Sequence, residues 1–312
     1  QLIKLGTLAY AGDVIRSAIS NDCTGVWSSG KATDDPNGGV WFATSSGVSA
    51  LSIVDAKKKV LANTQGLAIA NGQLLVSIAS KNTLSSIGTG LPQSGQVTAT
   101  AVSATTVNNF RGITFVHLGT TGTAPDTLYV AANDASSGQI QKYVLQSGTW
   151  TLKGTAALNG VHGLIALPTG DGNALLFATD SSGQLNQLFD TSGAQGALAA
   201  TPTLVPGMPA GQQLLGLALT PEATPPASVP TAPSKASASF NGTAAVVQWT
   251  VASSGAPAAF YVIEASHDNF ATVDKSVVST GNTAELSGLQ SGSQKVRVRA
   301  VNSLGGSTSV QS

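Results

Sequence analysis

The chain has 312 residues, its 15 basic side chains balance 15 acidic ones, and only 10% of it is charged, against a usual share of about 25%. A neutral surface has no electrostatic footprint for nucleic acid or anionic lipid, and no apolar run is long enough for a membrane-spanning helix, so neither nucleic acid nor a membrane span is expected. The 42% apolar share, spread in regular runs among small residues, argues against disorder and for short strands joined by tight turns.

Taken in chain order, residues 1–10 (QLIKLGTLAY) read as an outer strand whose inner partners are missing. A repeat then begins. Arg16-Ser17, Gln65-Gly66, Arg111-Gly112, His162-Gly163 and Leu215-Gly216 each lead into a short apolar strand and recur about every 50 residues. That period is close to the roughly 40 to 50 residues of a four-stranded propeller blade. Second strands are expected at 39–46, 72–80, 126–134 and 173–181, and third strands at 47–55, 137–145 and 182–190. Fourth strands are expected at KVLANT, QVTATAVS, WTLKGTAAL and TPTLVPG. The turns DASSGQ and DSSGQ carry hairpin chemistry, and helical periodicity is nearly absent. Residues 1–220 are thus expected to form a partial β-propeller, with four complete blades and two orphan strands. The second orphan, GQQLLGLALT at 211–220, is the first strand of a fifth blade. Open sheet edges would result.

The segments VIRSAIS (14–20), ANGQLLVS (70–77), GTGLP (88–92), TLYVAAND (127–134), GQIQKY (138–143) and TWTL (149–152) stand in an order that resembles the second half of a family of bacterial secreted or surface β-propeller proteins. The resemblance covers about two-thirds of the chain. It implies that further blades lie upstream, and it carries over no catalytic residue.

Five of the 13 prolines fall within PEATPPASVPTAP, so residues 221–234 read as a semi-rigid proline-rich spacer between units that fold alone. Residues 235–312 resemble a fibronectin type III domain. Trp249 closes the strand TAAVVQWT, Tyr261 opens YVIEAS, and VRVRAVN (296–302) alternates apolar and basic residues before Leu304-Gly305-Gly306. Trp249 is expected between the sheets, faced by Val296, Val298 and Ala300. Gln294 stands where a corner tyrosine is usual, which would weaken that corner.

Candidate chemistry is sparse. Ser28 and Lys31 match an acyl-enzyme Ser-x-x-Lys spacing, but a loop between strands is expected there rather than a helix start. Asp34, Asp35 and Asn37 before Gly38-Gly39 offer oxygen ligands for calcium, although the same residues make ordinary turns. His117, His162 and His267 are too few and too dispersed for a catalytic zinc site. Asp134 and Asp180 occupy equivalent turns and read as repeat features. Cys23 is the single cysteine, so no intrachain disulfide is possible. No cofactor is implied. Arg16, Gln65, Arg111 and His162 precede the innermost strands of four blades, so they either ring one mouth of the central channel as a ligand site or bond backbone carbonyls at blade junctions.

The expectation is an extracellular, cell-surface, non-enzymatic binding or adhesion protein whose partner is a surface protein or glycan, a copy of itself, or the missing blades. A subunit of an extracellular filament or sheath, accepting strands at its open edges, is the alternative. A third reading is a hydrolase fragment with its active residues upstream. A leader peptide, if any, was removed or lies upstream of Gln1.

Overall fold

The structure is a computed structural model, and it describes residues 9–33, 37–79, 83–102, 110–133, 138–169, 172–205, 212–218, 227–241, 244–302, 304–307 and 310–311. All regular structure among these residues is strand. The first blade comprises β1 (Ile15–Ile19), β2 (Gly25–Gly30), β3 (Gly39–Thr44) and β4 (Val48–Val54). The second comprises β5 (Thr64–Ala70), β6 (Gln73–Ile78), β7 (Thr83–Ile87) and β8 (Gly95–Ala101). The third holds β9 (Phe110–Val116), β10 (Thr127–Ala132), β11 (Gln139–Gln146) and β12 (Thr149–Ala157), and the fourth β13 (Leu164–Pro168), β14 (Ala174–Thr179), β15 (Leu185–Asp190) and β16 (Thr203–Leu204). Each blade is an antiparallel meander from its inner to its outer strand. Blades one and two also join at their outer edges, where β4 pairs in parallel with β8 from Leu51↔Gly95 to Val54↔Thr98, giving one eight-stranded sheet.

Strand alternation explains the stacking. In β6, Leu74, Val76 and Ile78 face the Trp27, Val40, Phe42 and Ile53 core of blade one, whereas Leu75 turns to blade three. In β10, Leu128, Val130 and Ala132 face blade two, and Tyr129 and Ala131 face blade four. Every residue of β10 is buried. A strand covered on both faces needs such a continuous apolar run, since each face of the pleat must leave water.

The first blade departs from the sequence reading. GVWSSG forms a strand, β2, that the spacing of apolar runs did not reveal, because glycine and serine flank a single Val-Trp pair. Residues 39–44 are therefore the third strand and 48–54 the fourth. KVLANT is not a fourth strand: Val60 makes only an isolated bridge to Val54, and Thr64 already opens β5. At the start of the chain, residues 1–8 lie outside the described residues, and Ala9 and Tyr10 form a turn. The expected strand at 211–220 is irregular backbone over 212–218. It nevertheless lies where a fifth first strand would, since a Cβ on Gly163 would meet Leu217 N at 2.8 Å.

The C-terminal unit is a fibronectin type III-like sandwich. One sheet orders β17 (Ala236–Asn241), β18 (Ala244–Trp249) and β21 (Thr283–Leu286). The other orders β20 (Lys275–Ser279), β19 (Phe260–Ser266), β22 (Lys295–Asn302) and β23 (Gly305–Gly306), with β24 (Val310–Gln311) on β22. Trp249 is buried between the sheets with Val296, Val298 and Ala300, its ring 5.2 Å from that of Tyr261. Gln294 buries both amide atoms without a hydrogen-bond partner.

The spacer does not hold the units apart. Val262 and Val301, on the outer face of the second sheet, pack on Leu167 and Leu175 of blade four, with Phe177, Phe189, Phe260 and Val278 around them. Gln187 Nε2 donates to Ser276 O at 3.2 Å, and a Cβ on Gly306 would come within 2.4 Å of Thr169 O. The fibronectin-like sheet thus covers the face of blade four that a fifth blade would cover in a longer propeller. Between the units lies an open cleft of about 700 Å³, lined by Phe189, Thr203, Lys275 and Glu285 among others.

Three outcomes are expected. Trp249→Ala should lower the stability of the C-terminal unit by about 3 to 5 kcal/mol, the usual cost of truncating a large buried aromatic, with a shift under 1 kcal/mol in denaturant melts contradicting its core position. Gln294→Met should raise that unit's stability by about 1 to 3 kcal/mol, because two buried groups that leave water unpaired are removed. Gly306→Ala should weaken docking on blade four by about 1 to 3 kcal/mol through overpacking. With a protease site engineered into 221–234, the cleaved wild-type halves should co-elute and the cleaved variant's should separate.

Candidate functional site

In the first three blades the repeated dipeptide sits in a β-bulge on the inner strand, whereas His162-Gly163 precede the regular strand β13. Ile15 pairs with Gly30 but Ser17 with Ser29, so Arg16 is the extra residue. The register slips likewise between Thr64 and Leu67, at Gln65-Gly66, and between Phe110 and Ile113, at Arg111-Gly112. A bulge leaves one residue outside the ladder and re-aims its side chain. The small residue beside it has a separate cause. A Cβ on Gly66 would meet Arg111 O at 2.3 Å, and one on Gly112 would meet Leu164 N at 2.8 Å. Adjacent inner strands approach backbone to backbone at this level, and only a residue with little or no side chain permits it. Ser17 fits by accepting a hydrogen bond from Leu67 N at 3.1 Å.

The four candidate side chains do not share one fate. Arg16 donates through Nη1 to Asn63 Oδ1 at 2.5 Å and to Thr64 O at 3.1 Å, tying blade one to blade two. Gln65 is buried, and its carbonyl accepts from Ser29 Oγ. His162 Nδ1 lies 2.5 Å from Gly160 O, and its Nε2 is 3.5 Å from Asn133 Nδ2. The Arg16 side chain and the Gln65 backbone carbonyl bond across the junction of blades one and two, whereas His162 lies between Gly160 in its own turn and Asn133 of blade three. Arg111 differs: its Nε is buried with no hydrogen-bond partner. Burial lowers the pKa of both guanidiniums. Arg111 is lowered further by the like charge of Arg16, whereas Asp13 partly offsets the effect at Arg16.

The other candidates fall away from chemistry. Asp34 and Asp35 lie outside the described residues, and Asn37 uses its carbonyl to accept from Tyr10 N and Trp41 Nε1. Ser28 is on strand β2 rather than in a loop, and its hydroxyl accepts from Tyr10 OH at 3.0 Å. Lys31 instead pairs with Asp13 at 3.2 Å. His117 sits 2.8 Å from Asp126 Oδ2, and His267 2.8 Å from Asp274 Oδ2, in separate units. Asp134 is outside the described residues. Asp180 caps its turn by accepting from Ser182 N and Gln184 N. Among the described residues no three metal-ligating side chains cluster.

Two buried charge networks escaped the sequence reading. Lys142 is fully buried and directs Nζ at Asp190 Oδ2 (2.8 Å), Ser192 Oγ (2.8 Å) and Gly193 O (2.6 Å), while Tyr129 OH donates to the same Asp190 carboxylate. All three ammonium donors are spent, so Lys142 is a staple between blades three and four rather than a nucleophile. Burial, and then the Asp190 charge, raise the Tyr129 pKa. The signal was present: Lys142 stands between Ile140 and Val144 at an alternating position that the pleat turns inward. In the second unit Glu264 pairs with Arg297 and lies 3.5 Å from Arg299 Nε, and the Arg297 guanidinium stacks 4.3 Å over Phe270.

No protein-family model matches the chain, and no curated protein sequence is similar to it. Solved structures with a similar trace include β-propeller lectins and fibronectin type III domains. A triple arginine-to-alanine mutant of AofleA from Arthrobotrys oligospora is 12% identical, over 96% of this chain and 82% of that one, with a TM-score of 0.42. The six-bladed propeller lectin of Aleuria aurantia, described for its fucose recognition, is 16% identical over 92% and 88%, with a TM-score of 0.37. A two-domain fibronectin type III segment of chicken tenascin is 14% identical over 60% and 90%, with a TM-score of 0.24.

Proposed function

We propose that this chain is a non-enzymatic, extracellular binding protein of a bacterial surface. In this reading the four-blade arc presents its inner-strand mouth to a glycan or protein, and the fibronectin-like unit braces the last blade. The observation that carries it is the bulge-borne pair of arginines. Arg16 is anchored to the neighbouring blade, while Arg111, at the equivalent bulge of blade three, has a buried donor left over. Unpaired buried donors cost stability and are rare in structures without a task for them. The charged groups that could have served catalysis, Lys142 with Asp190 and Glu264 with its arginines, are engaged in packing instead.

The test separates anchoring from binding. Arg16→Ala should lower the melting temperature, because Thr64 O loses its donor, at about 1 to 3 kcal/mol for an orphaned buried acceptor. Arg111→Ala should cost less stability than Arg16→Ala, because the buried Nε it removes has no hydrogen-bond partner to orphan. The same Arg111→Ala protein, screened beside the wild type on an array of glycans and extracellular matrix proteins, should lose the wild type's ligands. Ligands retained in full by the variant would place binding elsewhere and overturn this reading.

A further inference from the structure

Lys142 is closed to any outside substrate, yet the group it is closed against is itself an electrophile. Its ammonium and the Asp190 carboxylate stand 2.8 Å apart, with side chains 0% and 1% exposed. Tyr129 lies directly across the ladder from Lys142, and its hydroxyl donates to Asp190 Oδ2 at 2.5 Å. The other carboxylate oxygen, Oδ1, accepts from Ser192 N at 3.0 Å and from Ser192 Oγ at 2.5 Å. Reacting groups held this close gain the effective concentration of an intramolecular reaction, about 10⁵ M or more when well oriented. A buried ion pair also carries the cost of two desolvated charges, which a neutral amide does not. We infer that Lys142 and Asp190 condense into an isopeptide bond, a self-made covalent clamp between blades three and four, with Tyr129 as the proton donor.

The step balances within the site. The proton that Nζ shares with Asp190 Oδ2 passes to that oxygen, leaving an amine and a carboxylic acid. The two remaining N–H groups still donate to Ser192 Oγ at 2.8 Å and Gly193 O at 2.6 Å, so the freed lone pair points at Asp190. It attacks Cγ, the Nζ–Cγ bond forms, and negative charge collects on Oδ1, where the two Ser192 donors stabilise it. Tyr129 protonates Oδ2, the Cγ–Oδ2 bond breaks, and that oxygen leaves as water. A proton released from the nitrogen returns to Tyr129, so one ammonium and one carboxylate yield one amide and one water. The amide keeps a single N–H, for which Gly193 O is an acceptor already in place. Burial, and then the Asp190 charge, raise the Tyr129 pKa, which keeps its hydroxyl a proton donor.

The test is the intact mass of the full wild-type chain, denatured and measured by mass spectrometry, which is expected to be lighter than its sequence by one water. Trypsin does not cut after an acylated lysine, so peptides 112–153 and 154–235 should be recovered joined through Lys142 and Asp190. Lys142→Arg keeps the charge without the nucleophilic amine and should show its full sequence mass. Tyr129→Phe, followed from synthesis onward, should reach the cross-linked mass about a hundredfold or more slowly, the scale of a lost general acid. A wild-type chain at its full mass, cut by trypsin after Lys142, would overturn the bond. A missing water that maps elsewhere, or one that persists in Lys142→Arg, would overturn it equally. Cross-linking at the wild-type rate in Tyr129→Phe would overturn the role given to that hydroxyl.

Discussion

The structure depends on sheets that are apolar on both faces. A strand such as β10, with Leu128, Val130 and Ala132 on one side and Tyr129 and Ala131 on the other, cannot leave either face in water. At about 25 cal/mol per Å² of apolar surface, each uncovered face would cost several kcal/mol. A blade that is apolar on both faces therefore needs a neighbour on each side. Blade four has blade three on one face, and on the other it meets Val262 and Val301 of the fibronectin-like sheet. The same constraint explains why that sheet has an apolar outer strip, which a free-standing sandwich would not need.

Close stacking also dictates the inner strands. Sheets that converge on a centre bring their first strands backbone to backbone, so the repeat needs a small residue at 17, 66, 112 and 163. In the first three blades the extra residue of the bulge absorbs the mismatch. Polar side chains placed there must find partners, and most do: Arg16 reaches Asn63 and Thr64, and His162 reaches Gly160. Arg111 Nε, Gln294 and Trp249 Nε1 do not. The last two belong to the sandwich and Arg111 Nε to the inner strand of blade three, and each unpaired atom subtracts from stability.

Buried charge fixes neighbouring strands and blades. Lys142 with Asp190 locks blade three to blade four, and Glu264 with Arg297 and Arg299 crosses β19 and β22. Buried pairs of this kind add little net stability over apolar packing, yet removing one partner leaves a charge without water or counter-ion. The first network holds blade three to blade four, and the second holds β19 in register with β22 of the same sheet.

Much was legible in the sequence because it is local or periodic. Alternation marked most of the strands, the recurrence of a polar-small dipeptide marked the blades, and Trp249 with VRVRAVN marked the sandwich and its core. Each of these signals lies within one strand or one repeat. The strand GVWSSG was missed because its burial comes from neighbouring blades rather than from its own alternation. The parallel pairing of β4 with β8, the docking of the last unit on Leu167 and Leu175, and the separate fates of Arg16 and Arg111 were decided only by the tertiary structure. Those features depend on which surfaces meet across 40 residues or more, and a side chain has no record in its own neighbourhood of the carbonyl or the charge that the fold will bring to it.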